Sequence, residues 1–179
     1  QLNIDKFKKS SSELKNAEFI LENNKYICGH DTEKMSKSKS NVVNPDEIIN
    51  KYGSDTLRMY EMFLGPIEQS KPWNTNGIDG VFKFLNKFWN LFNNKNNQLH
   101  ISDKEPNKNE YKILHRAIKK IQNDIERLSL NTCISLLMIT VNELGKINCN
   151  KIKILKPLLI LISPFAPHIA EELWNKIGN

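Results

Sequence analysis

The chain has few cysteines, few arginines and no long apolar run, and each shortage excludes a class of protein. Its three cysteines, Cys28, Cys133 and Cys149, are widely spaced and form no C-x-x-C pair. This usage predicts reduced thiols in a cytoplasmic protein rather than a disulfide framework. Cys28 and His30 form a C-x-H pair, but no second pair has ligand spacing, so we expect no metal site. No apolar run approaches the ~20 residues that a membrane span needs, and the N-terminal residues do not resemble a signal peptide.

Arginine is also scarce, and this limits what the net charge implies. The formal charge is +6 at pH 7, which invites a nucleic-acid partner, but only three of the 26 basic residues are arginine. Lysine, asparagine and isoleucine are abundant instead, a pattern typical of an A/T-biased genome. The net charge alone is therefore weak evidence for a nucleic-acid partner. With 179 residues and no initiator methionine, the chain reads as one domain with appendages, cut from a longer protein.

Short elements are predicted in the first third of the chain. Residues 18–29 contain two apolar runs around a Glu-Asn-Asn turn, which predicts a β-hairpin. Asn44 suits the N-cap of a short helix that ends at Gly53. Ser54 or Asp55 is expected to cap a second helix, which ends before a Gly-Pro pair.

The remainder predicts a helical bundle. A helix over 78–92 places its apolar side chains on one half of the wheel: Ile78, Val81, Phe82, Phe84, Leu85, Phe88, Trp89, Leu91 and Phe92. A polar segment, 93–109, is expected to be a flexible connection. Three more helices follow, over about 111–128, from Asn131 or Thr132 to Gly145, and over 151–162, where Pro157 should kink the helix or delay its start. Pro167 opens a final helix.

The most unusual segment is the basic loop between the hairpin and the first helix, with the sequence Lys34-Met35-Ser36-Lys37-Ser38 and a further lysine, Lys39. Lysine ammonium groups, serine hydroxyls and free backbone N–H groups suit a polyphosphate. In nucleotidyl transfer, charge grows on the departing pyrophosphate, and a cation that meets this charge lowers the barrier. The alternative is a solvated basic loop with no ligand.

This loop resembles the second signature motif of class I aminoacyl-tRNA synthetases. The stretch from Asn41 to Trp89, which includes "MFLGPIEQSKPWNTNGIDG", is similar to bacterial-type leucyl-tRNA synthetases, and "LISPFAPHIAEELW" at 161–174 resembles the close of their helical anticodon-binding domain. Ser40 stands where many members of the family carry glycine. The family's first signature, His-x-Gly-His, is absent, as are its leucine pocket, editing domain and terminal tRNA-elbow domain.

The resemblance implies an enzyme that activates leucine with ATP and transfers it to tRNA(Leu). It implies that Lys37 contacts the phosphates, that Lys34 assists, and that Ser36 and Ser38 shape the ATP-binding loop. Met35 is expected to anchor the loop by packing. ATP is implied as a substrate, with Mg²⁺ expected in the full enzyme. We expect a monomeric cytoplasmic protein with no membrane partner.

The resemblance also implies a division of the chain and a fold class. Residues 1–43 would end the α/β catalytic domain with a β-hairpin remnant and the signature loop. Residues 44–76 would form a helical stem-contact segment, and 77–179 the anticodon-binding bundle, so the fragment is mainly α and is expected to be inactive alone. The alternatives are an isoleucyl or valyl enzyme and a stand-alone helical RNA-binding module.

Three further groups of residues allow either a functional or a purely structural role. Lys112, Arg116 and Lys119 form a stripe opposite the apolar face of their helix, which is either a tRNA phosphate track or a solvated surface. His168 is expected to be a structural residue of the final helix rather than a catalyst. Arg58 would pair with Asp55 or Glu61, or be exposed.

Overall fold

The computed structural model describes residues 9, 16, 18, 20–23, 25, 26, 32–39 and 41–178. These residues belong to two compact units, 1–42 and 43–179. Cys28, His30 and Ser40, which the sequence analysis singled out, lie outside the described residues.

The first unit contains the predicted hairpin in a short form. Strand β1, Leu21–Glu22, pairs antiparallel with β2, Lys25–Tyr26, and Leu21 lies opposite Tyr26. The turn between the strands includes Asn23, whose φ of 51° is left-handed. Asparagine tolerates this conformation better than most residues, which is why it suits the turn.

The second unit is a helical bundle, as predicted. Its α-helices are α1 (Pro45–Tyr52), α2 (Ser54–Phe63), α3 (Ile78–Phe92), α4 (Lys108–Glu126), α5 (Leu130–Lys146), α6 (Ile152–Ile162) and α7 (Pro167–Lys176). Within the described parts of the chain, no helix is both long and apolar enough to cross a membrane.

The start of α1 follows the sequence prediction, but that of α2 does not. The Asn44 side chain accepts the Asp46 backbone N–H at 3.0 Å, and Gly53 has the positive φ, 85°, that a helix end favours. No side chain caps α2. The predicted cap by Ser54 or Asp55 is wrong because the Asp55 carboxylate binds the start of α7 instead.

Helix α3 is the centre of the core, with the bounds that the apolar periodicity predicts. Its fully or nearly fully buried side chains are Ile78, Val81, Phe84, Leu85, Phe88, Leu91 and Phe92. Two members of the predicted face differ: Trp89 is only half-buried, and Phe82 is 39% exposed. Both lie at the edge of the apolar face.

Helix α4 begins earlier and ends earlier than predicted. Asn107 and Glu110 form a capping box, in which each side chain accepts the other residue's backbone N–H, at 3.0 and 2.7 Å. Leu128 was predicted to extend the apolar face, but it follows the helix with a φ of 55° and is exposed. The predicted cap of α5 by Asn131 or Thr132 is also wrong, since the Thr132 hydroxyl donates to Asp124 at 2.6 Å.

The connection between α3 and α4 is ordered by hydrogen bonds, so its description as a flexible segment is corrected. His100 donates its N–H to the Phe92 carbonyl at 2.7 Å. Ser102 bridges to the start of α6, donating to Asn150 O at 2.9 Å and accepting from the Ile152 N–H at 3.0 Å. The two partners of Ser102 lie about 50 residues away in the chain, so local composition does not reveal them.

The last two α-helices each contain one of the prolines discussed above, Pro157 in α6 and Pro167 in α7. Pro157 lies inside α6, which nevertheless begins at Ile152, and Pro167 is the first residue of α7. Cys133 and Cys149 are free thiols in the core. Burial raises the pKa of both thiols, so they are poor nucleophiles at neutral pH.

Candidate phosphate-binding loop and RNA-binding bundle

The signature loop is held in shape by a short turn and one asparagine. Lys37–Lys39 form a 3₁₀ turn in which the Lys39 N–H donates to Ser36 O at 3.1 Å. The Asn41 side chain accepts the Ser36 N–H at 2.8 Å and donates to Lys34 O at 3.4 Å. Asn41 therefore closes the loop through backbone contacts, without apolar packing.

The lysines of the loop differ in their pairing. The Lys39 ammonium lies 2.6 Å from the Glu33 carboxylate, and both side chains are half exposed. Lys34 and Lys37 are exposed as well, but neither ammonium has a hydrogen-bond or ion-pair partner among the residues that the structure describes. Among the described residues, these two lysines therefore differ from Lys39 in having no carboxylate partner.

The other motif residues differ in exposure. The hydroxyl oxygens of Ser36 and Ser38 lie 2.7 Å apart, so one donates to the other; Ser38 is exposed and Ser36 is half-buried. Met35 was expected to anchor the loop by packing, but its side chain is 42% exposed. The hydrogen bonds of Asn41 supply the anchoring that we had assigned to Met35.

Sequence reasoning missed Asn41 and Glu33. A signal for Asn41 was present, because asparagine side chains readily bond to nearby backbone groups in turns. Glu33 carries no comparable signal. Its partner could not be chosen among Lys34, Lys37 and Lys39 without the fold of the loop.

The predicted phosphate stripe on α4 is divided by an ion pair. Lys112 and Lys119 are exposed, and within residues 41–178 their ammonium groups have no partner. Arg116 is paired with Glu143 of α5. Its charge is partly compensated, so the two lysines retain more of the positive potential that an RNA backbone would meet.

A buried carboxylate connects α2 to the start of α7. Asp55 is 8% exposed and accepts the backbone N–H groups of His168, at 3.3 Å, and Ile169, at 2.8 Å. The His168 ring Nδ1 lies 2.8 Å from the same carboxylate. His168 thus makes a structural contact in the first turn of α7, where the sequence places it.

Arg58 reaches a different partner from those predicted. Its guanidinium donates to Pro164 O at 3.3 Å, so the expected pairing with Asp55 or Glu61 is wrong, whereas the alternative of an exposed Arg58 is confirmed. The Asp55 oxygens are occupied by α7, and the carbonyl before that helix lies within reach of the arginine.

Two protein-family models match the segments of the chain that contain the loop and the bundle. Residues 20–73 match the model of class I tRNA synthetases (I, L, M and V), and residues 107–179 match the anticodon-binding domain of tRNA ligase. The first match includes the signature loop, and the second covers α4 to α7.

Individual relatives identify the amino acid specificity of the similar synthetases as leucine. The chain is 61% identical to the leucine–tRNA ligase of Cytophaga hutchinsonii over 178 residues, which are 99% of this chain and 19% of that protein. It is 60% identical to that of Flavobacterium psychrophilum over 181 residues, 100% of this chain and 19% of the relative. Among solved structures, it is similar to the ternary LeuRS–tRNA–LeuAMS complex of Agrobacterium radiobacter K84 agnB2, with 30% identity and a TM-score of 0.69 over 82% of this chain and 21% of that one.

The chain thus spans about a fifth of the length of the curated relatives that it matches. Both its signature loop and its bundle fall inside the matched segment. The chain belongs to the leucine–tRNA ligase family of class I aminoacyl-tRNA synthetases.

Proposed function

We propose that this chain supplies the ATP-phosphate loop and the tRNA-supporting bundle of a leucine–tRNA ligase. The whole enzyme would activate leucine with ATP to leucyl-adenylate and transfer the leucyl group to tRNA(Leu). The observation that carries the proposal is the pair of exposed ammonium groups, on Lys34 and Lys37, that have no partner among the described residues, in a chain about 60% identical to leucine–tRNA ligases.

Lys37 and Lys34 would act on the phosphates. When the leucine carboxylate displaces pyrophosphate from ATP, negative charge accumulates on the departing group, and an ammonium placed there stabilises the transition state more than the substrate. Ser36 and Ser38 would add hydroxyl hydrogen bonds. Asn41 is a positioning residue because it bonds to the loop backbone, not to a ligand.

Magnesium would enter with the nucleotide. Among the described residues, no three His, Cys, Asp or Glu side chains converge as a metal site, so we assign no residue of this chain to Mg²⁺. The lysines would meet phosphate oxygens that the ion leaves free.

The bundle would support tRNA through its backbone. The similar solved structure is described as a complex with tRNA, which favours this partner. Lys112 and Lys119 are the phosphate contacts we propose on α4, with Arg116 secondary because of its pairing with Glu143. We further propose the division 1–43, 44–76 and 77–179, a monomeric state and a cytoplasmic location.

A graft into a relative tests the proposed function directly. Residues 1–179 would replace the matching segment of the Cytophaga hutchinsonii leucine–tRNA ligase, and ATP–pyrophosphate exchange would be measured with leucine, isoleucine and valine. We expect leucine-dependent exchange and leucylation of tRNA(Leu). A well-folded graft with no exchange would contradict the role of the loop, and a graft with exchange but no leucylation would contradict that of the bundle.

A further inference from the structure

A cleft on the surface of the second unit combines aromatic rings with amides. It has a volume of about 470 Å³, within the range of sites that take small ligands. It opens where the end of α1, the outer side of α3 and the start of α7 meet. We call it the aromatic cleft and define it by Tyr52, Phe82, Asn86, Trp89, Asn90 and Asn97.

The aromatic residues offer ring surface to solvent. Phe82 is 39% exposed at the edge of the apolar face of α3, and Tyr52 packs edge-on against it with ring centroids 5.8 Å apart. Trp89 is half-buried, and its indole N–H donates to Asn97 Oδ1 at 2.7 Å, which fixes the ring. Exposed aromatic rings held in place are stacking platforms for unpaired bases.

The amides supply hydrogen-bonding groups that have no partner among the described residues. Within residues 41–178, the Asn90 side chain has no partner. The Asn86 NH₂ group donates to Phe82 O, and the side-chain oxygen of Asn86 has no partner among the described residues. The Asn97 side-chain oxygen accepts from the Trp89 indole, and the NH₂ group of Asn97 has no partner there either. The one carboxylate in the cleft, Asp55, is committed to α7. Free amide donors and acceptors can read the edge of a base.

Cations flank the rings of the aromatic cleft. The Lys51 ammonium lies 4.8 Å from the centroid of Tyr52, and that of Lys176 lies 4.4 Å from the centroid of Trp89. These cation–π contacts place positive charge over the faces of Tyr52 and Trp89, next to Phe82 in the same cleft. A nucleotide whose base entered the cleft would carry its phosphates past one or both ammonium groups.

A second cavity adjoins the cleft and is basic. It measures about 540 Å³, shares Asn90 with the aromatic cleft, and is lined by Lys87, Lys146 and His100 with no carboxylate in its lining. Lys87 and Lys146 are both exposed, and the Lys87 ammonium donates to the Asn142 side-chain oxygen at 2.9 Å. A cavity of this charge suits a phosphate.

We propose that the aromatic cleft binds one unpaired RNA nucleotide, with its base stacked on Phe82 and a neighbouring phosphate in the basic cavity. Three independent features converge along α3: exposed aromatic surface, unused amides and a cavity without negative charge. The proposal rests on the proposed function only in that the RNA would be tRNA(Leu). The binding chemistry itself belongs to any unpaired strand.

The test uses the 179-residue chain and an unpaired RNA octanucleotide, with an RNA duplex of the same length for comparison. Binding is followed by fluorescence anisotropy and by quenching of tryptophan emission, since Trp89 lies in the cleft. We expect the octanucleotide to bind more tightly than the duplex and to quench. Phe82→Ala should weaken binding roughly 5- to 150-fold, the equivalent of one lost stacked base.

Two further variants separate stacking from charge. Ile160→Ala, at an exposed apolar position on α6, should leave the affinity unchanged. Lys146→Ala should lower the slope of log affinity against log salt by about 0.7, the value for one phosphate of a single strand, whereas Phe82→Ala should preserve the slope.

Equal affinities for wild type, Phe82→Ala and Ile160→Ala would overturn the cleft as a base site, as would a failure of the octanucleotide to bind at low salt. Binding of a tRNA(Leu) transcript that persists in Phe82→Ala would leave the proposed function standing without the cleft. Octanucleotide binding that depends on Phe82, with no binding of tRNA(Leu), would support the cleft and contradict the proposed partner.

Discussion

At the scale of single residues, ion pairing separates lysines that look equivalent in sequence. Lys37 and Lys39 are two positions apart in one basic loop, yet Lys39 is bound to Glu33 at 2.6 Å and Lys37 has no partner among the described residues. An exposed pair of this kind adds little stability. Its consequence is that Lys39 has less free charge to offer a phosphate.

Replacement of Lys37 tests this difference in the grafted enzyme. Lys37→Ala should slow leucyl-adenylate formation by roughly 10²–10³, about 2.7–4 kcal/mol, with a smaller effect on ATP binding, because the contact matters most as charge develops. The rate constant comes from single-turnover kinetics at saturating ATP. Lys39→Ala is the matched control and should cost much less.

Lys37→Arg keeps the charge and changes its shape. It should also be slower than wild type, because a planar guanidinium does not replace a compact ammonium on a phosphate. If Lys37→Ala and Lys39→Ala had similar and small effects, the loop would be only a basic surface.

At the scale of elements, helix ends in this bundle are capped from a distance as well as locally. Asp55 belongs to α2 but accepts two backbone N–H groups at the start of α7. Those groups have no intrahelical partners, and the positive end of a helix favours a carboxylate. Asp55 therefore joins two helices that are not neighbours in sequence.

Asp55→Ala should lower the free energy of unfolding by about 0.5–2 kcal/mol, since it removes the carboxylate that caps the start of α7. The measurement is urea denaturation followed by circular dichroism. Asp103→Ala removes an exposed carboxylate from a loop and serves as the control. Equal midpoints for the two variants would show that the Asp55 contacts contribute nothing.

Glu110 couples the start of α4 to the start of α6. Burial alone would raise the pKa of this carboxyl, but the Lys151 ammonium at 2.6 Å, the Asn107 backbone N–H and the Cys149 thiol together bring its pKa below the ordinary 4.5. A carboxylate with a lowered folded-state pKa stabilises the fold above the unfolded-state pKa. That stability is lost as pH falls through the folded-state pKa.

The bundle should therefore lose stability as pH falls below about 4.5, the ordinary glutamate pKa. Glu110→Gln should lower the urea midpoint at pH 7 and flatten its decline between pH 5 and pH 3. Glu61→Gln, at an exposed position on α2, should follow the wild-type profile. An unchanged pH profile in Glu110→Gln would rule out this carboxyl as a source of acid sensitivity.

At the scale of the whole molecule, the chain has a core of its own, whereas the catalytic site that we propose would be only partly supplied by it. Residues 43–179 form one compact unit around the buried side chains of α3. The sequence contains no His-x-Gly-His string, the other signature that the resemblance implies for the nucleotide site. Folding and catalysis should therefore separate in this chain.

The purified chain should be mainly helical by circular dichroism and unfold cooperatively, yet show no leucine-dependent ATP–pyrophosphate exchange. Its affinity for tRNA(Leu) should be weak and should fall steeply with salt, since lysine–phosphate contacts release counterions. Exchange activity in a preparation free of host synthetase would contradict the first expectation. Salt-insensitive binding would indicate base readout in place of phosphate contacts.

Local sequence by itself determined the elements of this protein and the place of its signature loop. The apolar period of α3, the Asn44 cap and the proline at the start of α7 act within one or two helical turns, so their signals lie in adjacent residues. The Lys-Met-Ser-Lys-Ser string identified the candidate loop for the same reason, because its residues are contiguous.

Only the tertiary structure decided which polar groups meet. Asp55 and His168 are 113 residues apart, and Arg58 and Pro164 are 106 apart. Such partners are selected by how the helices pack, and every exposed lysine, aspartate or asparagine is a chemically acceptable candidate until that packing exists. The pairing of Lys39 rather than Lys37 with Glu33, and the convergence of rings and amides in the aromatic cleft, depend on distances in space that no local pattern encodes.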